Sequence, residues 1–241
     1  MSSIDGLLAS SLEGLGISCT PQQRSLLIQH LELVIDKNRE LNLTRIDSLE
    51  SGVYLHIIDS LLCADFLSKQ EAPIRMLDIG TGGGFPGIPL SIVTGADTLL
   101  IDSIQKKVDA VDRFIKVLEI EDRCKVVCVR AEELAKHNPN SFDVVVARAV
   151  AQTNVLVEYT SPLLKFGGFL CAMKANISSE ELAAAEKAAD ICGMKIVSRE
   201  TFELPNDSGH REILYIEKAE EASIELPRRI GMAAKRPLGL K

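Results

Sequence analysis

A buried strand that runs into a glycine-rich turn and then into a helix start is the feature that most constrains this chain. The segment MLDIGTGGGFPGIPL occupies residues 76–90, and four of the five residues from 80 to 84 are glycines. An acid and three glycines fall on the spacing DxGxGxG: Asp78, Gly80, Gly82 and Gly84. Glycine adopts positive φ and has no Cβ atom to collide with a ligand. Pro86 suits a first helical turn, whose free amides and positive end would face the turn. The segment therefore predicts a ligand-binding turn.

Two kinds of nucleotide site fit this turn. Gly82, Gly84 and Gly87 also satisfy GxGxxG, the dinucleotide fingerprint. Nicotinamide and S-adenosylmethionine sites share an acidic residue about twenty positions later. Here that acid is Asp102, which ends the predicted strand DTLLID and could accept hydrogen bonds from ribose hydroxyls. The register that starts at Asp78 resembles the first motif of the class I S-adenosylmethionine-dependent methyltransferases.

The composition predicts one enzyme-sized, cytoplasmic domain with a small attachment. The chain has 241 residues and is 46% hydrophobic, enough to bury a full core. It has no window of eighteen apolar residues and no charged leader before an apolar run, so we expect neither a membrane span nor secretion. The six cysteines form no CxxC pair. We expect Cys124 and Cys128 to be reduced core thiols on one face of a strand, and no metal.

Strand and helix patterns alternate after the turn. The predicted strands are residues 97–102, 125–129, 142–146, 168–173, 195–202 and 213–217, and the predicted helices are 103–118 (capped by Ser103), 154–164 and 179–191. In the first of these helices, Ile104 is expected on the apolar stripe and Lys107 on the side that faces water. Such alternation implies a parallel sheet covered on both sides, with ligands at the carboxyl ends of the strands. The last two strands are joined by so short a loop that they must be antiparallel. The pattern predicts the α/β fold of class I S-adenosylmethionine-dependent methyltransferases, a Rossmann-like, mostly parallel seven-stranded sheet.

The first seventy residues read as helices. Thr20, Pro21 and Gln23 form a helix start in which Thr20 caps and Gln23 reaches back. The predicted inward residues of this helix are Leu26, Leu27, His30, Leu33, Val34 and Leu41. A second helix is predicted over residues 49–67. We therefore divide the chain into a helical extension packed on the core (residues 1–72), a core (73–219) and a basic tail (220–241).

Charge is unevenly distributed along the chain. There are 34 acidic residues against 27 lysines and arginines, and the net charge of -7 argues against nonspecific nucleic-acid binding. The segment from Leu226 to Lys241 is different because it holds five basic residues and no acid. Such a tail is either a solvated end or a segment that orders on phosphate.

The residues at the tip of the fourth strand limit the kinds of methylation that this chain is expected to catalyse. Methylation of exocyclic amines commonly uses Asn/Asp-Pro-Pro-aromatic there, and this chain has ARAV at residues 147–150. Cytosine C5 methylation uses a nucleophilic cysteine, usually after proline, and no cysteine here follows proline. Guanine N7 has a free lone pair, so it requires placement and not deprotonation. Arg148 would then position guanine O6, a phosphate or the cofactor carboxylate, unless it only forms a structural salt bridge.

Eight segments together resemble one family. In chain order they are NLTRI, HIIDS, DIGTGGGFPGIPLSIV, LLIDS, AEEL, ARAVA, GHREI and LPRRIGMAAKRPL. Their order and spacing are similar to those of the small-subunit ribosomal RNA methyltransferase G family, also called glucose-inhibited division protein B, and the match covers essentially the whole chain. The resemblance implies S-adenosylmethionine-dependent methylation of guanine N7 in 16S rRNA, on the small subunit or its precursor. We also expect a monomer.

The resemblance implies roles for individual residues. The cofactor contacts carried over by motif are Gly80, Phe85, Ala131, Glu132 and Arg148, in addition to Asp78, Gly82, Gly84 and Asp102. Phe85 would form an apolar wall unless it belongs to the core. Ala131 and Glu132 would read adenine, unless Glu132 only offsets a helix dipole. The expected RNA contacts are Arg211, Arg228, Arg229, Lys235 and Arg236.

Two further expectations concern the cap and the tail. His56 and Asp59 are three residues apart on a helix and share a face. They would form a buried polar pair that locks the N-terminal helices, or contact RNA. Deletion of the segment from Leu226 to Lys241 is expected to weaken RNA binding and to leave cofactor affinity unchanged.

Other classes of function stay open on the sequence alone. A small-molecule methyltransferase would share the fold and the cofactor, and its surface could be acidic. A noncatalytic nucleotide-binding module, or a nicotinamide enzyme that uses the GxGxxG register, would bind its nucleotide without methyl transfer. Methyl incorporation into small-subunit RNA distinguishes these possibilities.

Overall fold

Seven strands form one sheet at the centre of the molecule. The structure, a computed structural model, describes residues 3–240, so Met1, Ser2 and Lys241 of the expected extension and tail lie outside the described residues. The strands are β1 (Arg75–Ile79), β2 (Asp97–Asp102), β3 (Cys124–Cys128), β4 (Phe142–Arg148), β5 (Leu164–Lys174), β6 (Met194–Leu204) and β7 (Gly209–Lys218). The helices are α1 (Ile4–Gly14), α2 (Pro21–Leu41), α3 (Leu49–Gly52), α4 (Asp59–Leu61), α5 (Ala64–Ser68), α6 (Gly87–Thr94), α7 (Gln105–Val117), α8 (Ala131–His137), α9 (Thr153–Thr160), α10 (Ser179–Ile191) and α11 (Met232–Lys235). A π-helical stretch, Val53–Ile58, joins α3 to α4.

The sheet has the order β3-β2-β1-β4-β5-β7-β6. Strands β1 to β5 are parallel, and β7 runs antiparallel to both β5 and β6. This confirms the predicted mostly parallel, seven-stranded sheet with an antiparallel closing hairpin. The strand order reverses between β1 and β4, and such a reversal opens a crevice at the carboxyl ends of the strands. Asp78 is level with Val146 across this pair, so the glycine turn and Arg148 emerge at the same edge.

Successive residues of the central strands enter two different cores. On β4, Val144 and Val146 pack with the N-terminal helices, whereas Val145 packs on the opposite face with residues of α9 and α10. This alternation follows from the two-residue period of a strand. Strands buried on both faces read as continuous apolar runs, which is the pattern of residues 144–147.

The start of α2 matches its prediction and anchors the N-terminal helices. Thr20 Oγ1 accepts a hydrogen bond from the Gln23 amide, and Gln23 Oε1 accepts one from the Thr20 amide. The Gln23 side-chain amide also donates to the carbonyls of Ile92 and Val93, each at 3.0 Å. Because these carbonyls lie near the end of α6, the cap of α2 is tied directly to the core. Leu31 is fully buried as well, although the prediction omitted it.

Several element boundaries differ from the predictions. The helix expected over residues 49–67 is divided into α3, the π-helical stretch, α4 and α5. Ser103 does not cap α7, because Asp102 Oδ1 accepts the Ile104 amide at 3.0 Å and the helix begins one residue later than Ile104. Ile104, expected on the apolar stripe, is therefore exposed. Strand β5 begins at Leu164, where the preceding helix was expected to end.

The cysteine prediction was correct for Cys124 and wrong for Cys128. Both are free thiols, but Cys124 is buried and Cys128 is exposed. The reason is that β3 is an edge strand of the sheet, and its last residue extends beyond the packed region. Within residues 3–240, no helix has the length and apolar character needed to cross a membrane.

The basic tail packs against the core as an ordered segment. Its Arg228 forms an ion pair with the buried Glu158 of α9, and Asn154 Nδ2 donates to the Leu238 carbonyl at 2.7 Å. Gly239 lies so close to α10 that a Cβ atom there would come within 2.0 Å of the Ala184 carbonyl oxygen. Because of these contacts, the tail is neither a solvated end nor a segment that orders only on phosphate.

Candidate active site at the carboxyl edge of the sheet

The glycine turn has bare backbone on two sides. Gly80, Gly82 and Gly84 have φ values of 71°, 59° and 93°, a region that favours glycine. A Cβ atom on Gly82 would point into open space, with the Gly80 carbonyl oxygen, at 4.0 Å, as its nearest contact. A Cβ atom on Gly84 would instead lie 2.9 Å from His30 Nε2 of the N-terminal helices. Gly82 therefore leaves room for a ligand, whereas Gly84, expected to contact the cofactor, makes room for α2.

Asp78 lies in the interior beneath the glycine turn and is hydrogen-bonded to the start of the helix that follows it. Its side chain has no exposed surface, and Oδ2 accepts a hydrogen bond from the Gly87 amide at the start of α6 at 2.9 Å. Burial raises the pKa of this carboxyl to about 6. The expectation that Asp78 contacts the cofactor is corrected, because a fully buried carboxyl cannot touch a ligand in the crevice. Its role is to fix the junction between β1 and α6.

A cavity of about 210 Å³ lies beside the turn and is called here the Asp102 cavity. Four residues that the sequence predicted as cofactor contacts line it together: Gly80, Asp102, Ala131 and Glu132. Asp102 Oδ2 accepts the Gly82 amide at 3.2 Å, which holds the carboxylate against the turn. Ala234 of the C-terminal tail lines the same cavity.

Two further cavities continue along this edge. The Gly82 cavity, about 230 Å³, is lined by residues 80–83 of the turn together with Phe85, Arg148 and Ala149. The Met173 cavity, about 440 Å³, lies beyond it. Its lining includes His56, Asp59, Arg148, Ala149, Met173, Lys174 and Arg211. Since Gly80 borders the first two cavities and Arg148 with Ala149 borders the last two, the three form one row.

Arg148 is held by three groups of the N-terminal helices. Its Nη1 donates to Asp59 Oδ2 at 3.1 Å and to the Leu55 carbonyl at 3.2 Å, and its Nη2 lies 3.3 Å from His56 Nδ1. Asp59 Oδ1 also pairs with Nε of Arg211 on β7 at 3.0 Å. One buried carboxylate thus bridges two arginines from different strands. The salt bridge considered for Arg148 is present, and it lies inside the row of cavities.

His56 and Asp59 were expected to form a polar pair, and both are buried. The structure places the Arg148 guanidinium next to both of them. Because an arginine can only donate, His56 Nδ1 accepts, and its Nε2 carries the proton and donates to Thr44 Oγ1 at 2.8 Å. Burial, reinforced by the neighbouring guanidinium, lowers the pKa of His56 to about 3. His56 is therefore neutral at physiological pH.

Phe85 lies between two histidines. Its ring stacks on His56 with centroids 4.5 Å apart and lies 4.4 Å from His30. The side chain is only 6% exposed, so it belongs to the core and presents one side to the Gly82 cavity. Both alternatives considered for Phe85, core residue and apolar wall, therefore describe part of its environment.

The residues expected to contact RNA divide into three groups. Arg211 borders the Met173 cavity. Arg229, Lys235 and Arg236 are exposed on the tail. Arg228 is different, because its guanidinium pairs with Glu158 and donates to the Arg236 carbonyl at 3.0 Å. We therefore remove Arg228 from the expected phosphate contacts.

Sequence reasoning missed several residues of the site. Met173 and Lys174 end β5, and the rule that ligands lie at carboxyl ends of parallel strands could have identified them. Lys107, at the start of α7, lines the Gly82 cavity but was expected to face water. No sequence signal indicated that Ala234, in a tail interpreted through its charge, would line the Asp102 cavity.

Solved structures define the class of this fold. A putative sarcosine dimethylglycine methyltransferase from Galdieria sulphuraria aligns with a TM-score of 0.54 at 11% identity, over 72% of this chain and 89% of that one. The [4+2]-cyclase SpnF aligns with a TM-score of 0.54 at 16% identity, over 73% of this chain and 83% of that one. At such identities only the fold is shared, and it is the fold of class I methyltransferases.

Sequence comparison identifies the family. The family model described as rRNA small subunit methyltransferase G matches residues 23–213. The ribosomal RNA small subunit methyltransferase G of Staphylococcus carnosus is 35% identical over 236 residues, which cover 96% of this chain and 97% of the relative. The chain belongs to the rRNA small subunit methyltransferase G family.

The histidines that join the N-terminal helices to the turn predict a pH dependence of stability. His30 Nε2 donates to the Gly83 carbonyl at 2.9 Å, and burial lowers the pKa of His30 to about 4. At pH values between about 4 and 6.5, His30 takes up a proton in the unfolded chain but not in the folded protein. The stability that the folded protein gains from this difference is therefore complete above pH 6.5 and is lost as the pH falls.

We expect His30→Gln to reduce this pH sensitivity. Between pH 7 and pH 5 the free energy of unfolding of the wild type should fall by about 2 kcal/mol more than that of the variant. Urea unfolding at the two pH values measures the difference. Asp78 acts in the opposite direction, but it is present in both proteins. His137→Gln, at an exposed position, is the control. Equal pH dependence in wild type and His30→Gln would contradict the assignment of a neutral, buried His30.

Proposed function

We propose that this protein transfers a methyl group from S-adenosylmethionine to N7 of a guanine in 16S rRNA. The observation that carries the proposal is the row of three cavities across the carboxyl ends of β1 and β4. The Asp102 cavity, at one end of the row, is lined by residues predicted to bind the nucleoside of the cofactor. The Gly82 cavity, in the middle, is lined by the glycine backbone of the turn, and the Met173 cavity, at the other end, is lined by arginines. Family membership supports the same reaction.

The residues of the first two cavities fit the cofactor. Asp102 offers a carboxylate at the end of the second strand, where ribose hydroxyls bind in such folds. The open space over Gly82 is the cradle that a side chain would fill. Ala131 and Glu132 begin α8 at the far wall of the Asp102 cavity, where adenine would lie. When bound, S-adenosylmethionine supplies an electrophilic methyl group on a sulfonium.

The Met173 cavity is the site we assign to the target guanine. The Met173 cavity and the Gly82 cavity share Arg148 and Ala149 in their linings. A base in the Met173 cavity would therefore lie next to a cofactor in the Gly82 cavity, at the boundary that these two residues mark. Arg148 and Arg211 present donors that suit guanine O6 or a phosphate. Because Asp59 fixes both guanidinium groups, little reorganisation is needed when the base enters.

The surroundings of Arg148 agree with a reaction that needs no general base. Guanine N7 carries a free lone pair, so the acceptor keeps all its protons during transfer. His56 is neutral, but its Nδ1 lone pair is directed at Arg148 and its pKa is about 3. Asp59 is occupied by two arginines. What these residues contribute is positioning of the base.

The rest of the RNA would be held by local positive charge. The chain as a whole has a net charge of -7, but Arg229, Lys235 and Arg236 are exposed on the tail. We propose that these three side chains contact rRNA phosphates. Each such contact should contribute a slope of roughly -0.7 to -0.9 to the dependence of log affinity on log salt.

Methylation of small ribosomal subunits tests the proposed function. Subunits from cells that lack this protein are incubated with purified protein and labelled S-adenosylmethionine, and the RNA is then cleaved chemically at N7-methylguanine. We expect label at one guanine of 16S rRNA and cleavage at that position. Label in small metabolites only, or at another atom, would contradict the proposal.

Arg148→Lys tests the assigned role of Arg148. Lysine keeps the charge beside Asp59, but a single ammonium cannot reproduce the three contacts of the guanidinium. We expect kcat for rRNA methylation to fall at least about tenfold, through lost positioning. The matched control is Arg199→Lys, which alters an arginine–carboxylate pair with Glu212 outside the cavities. If Arg148→Lys lowers the melting temperature but each folded molecule keeps full activity, Arg148 only stabilises the fold.

A further inference from the structure

The C-terminal tail closes one side of the Asp102 cavity. Ala234 of α11 lines this cavity together with Gly80, Asp102 and Ala131. Its neighbour Ala233 is only 1% exposed, so the short helix is seated on the core. Ala234 itself is exposed, as expected for a residue that faces an open cavity and not the interior.

Polar contacts hold the tail in this position from both sides of α11. Before the helix, the Gly231 amide donates to Glu132 Oε1 at 2.8 Å. After the helix, the Leu238 carbonyl accepts from Asn154. Arg228 joins the two ends, because it pairs with Glu158 and donates to the Arg236 carbonyl. Glu158 is 3% exposed, and a buried carboxylate without its ionic partner is strongly unfavourable. The pair between Arg228 and Glu158 therefore favours the tail in its packed position.

The contact with Glu132 connects the tail to the nucleoside site itself. Glu132 begins α8 and is 5% exposed, and one of its carboxylate oxygens is occupied by the tail. The tail thereby fixes the rotamer of a residue that lines the cavity. A ligand in the Asp102 cavity would meet a wall made of two parts of the chain, roughly a hundred residues apart.

We propose that residues 226–240 of the tail form a wall of the cofactor site and that Ala234 contacts the nucleoside of the bound cofactor. The proposal rests on the assignment of the Asp102 cavity to S-adenosylmethionine. It reverses the expectation that removing the tail leaves cofactor affinity unchanged.

The test uses tryptophan substitutions in full-length protein. The chain has no tryptophan, so Ala234→Trp and Ile230→Trp each create a single fluorescent reporter. Both positions are exposed, Ile230 just before α11 and Ala234 within it, but only residue 234 lines the cavity. The affinity of S-adenosylhomocysteine is measured by calorimetry for the wild type and both variants, and the emission of each tryptophan is recorded during the titration.

We expect Ala234→Trp to weaken S-adenosylhomocysteine binding by about tenfold or more, with a change in emission on binding. Ile230→Trp should keep wild-type affinity for S-adenosylhomocysteine and a constant emission. Unchanged affinity and emission in Ala234→Trp would overturn the proposal. If the wild type itself fails to bind, the cofactor assignment fails first, and the proposal fails with it.

Discussion

The bare backbone of residues 80–84 is the constraint on which the rest of the site depends. On one side, Gly83 and Gly84 let Val34 and His30 of α2 approach the turn closely. On the other side, Gly82 leaves open space and donates its amide to Asp102. A side chain on either side would separate the turn from its neighbour. The same five residues therefore join the N-terminal helices to the core and leave room for a ligand.

Asp59 provides a second connection between the N-terminal helices and the site. It comes from a helix before the first strand, yet it pairs with arginines of β4 and β7. Removing one member of a buried ion pair typically costs about 3–5 kcal/mol, so the carboxylate and its arginines form one unit. The N-terminal helices are thus part of the Met173 cavity, because they supply His56 and Asp59 to its lining.

Local patterns predicted the parts of the structure that depend on neighbouring residues. The strand, turn and helix around Gly82, the cap of α2 and the position of Asp102 all follow from spacing within about twenty residues. The alternation of strands and helices predicted the sheet. The partners of Arg148 could not be predicted in this way, because Asp59 lies 89 residues away along the chain. The pairing of Arg228 with Glu158 spans 70 residues, which is why the tail was interpreted from its charge alone.

The central claim is that one row of cavities holds the cofactor at one end and the target base at the other. A crystal structure of the protein with S-adenosylhomocysteine tests this claim most directly. The account predicts adenine in the Asp102 cavity beside Ala234, and the sulfur in the Gly82 cavity, directed toward Ala149 and the Met173 cavity. A ligand bound elsewhere, or with its sulfur directed away from Arg148, would contradict it.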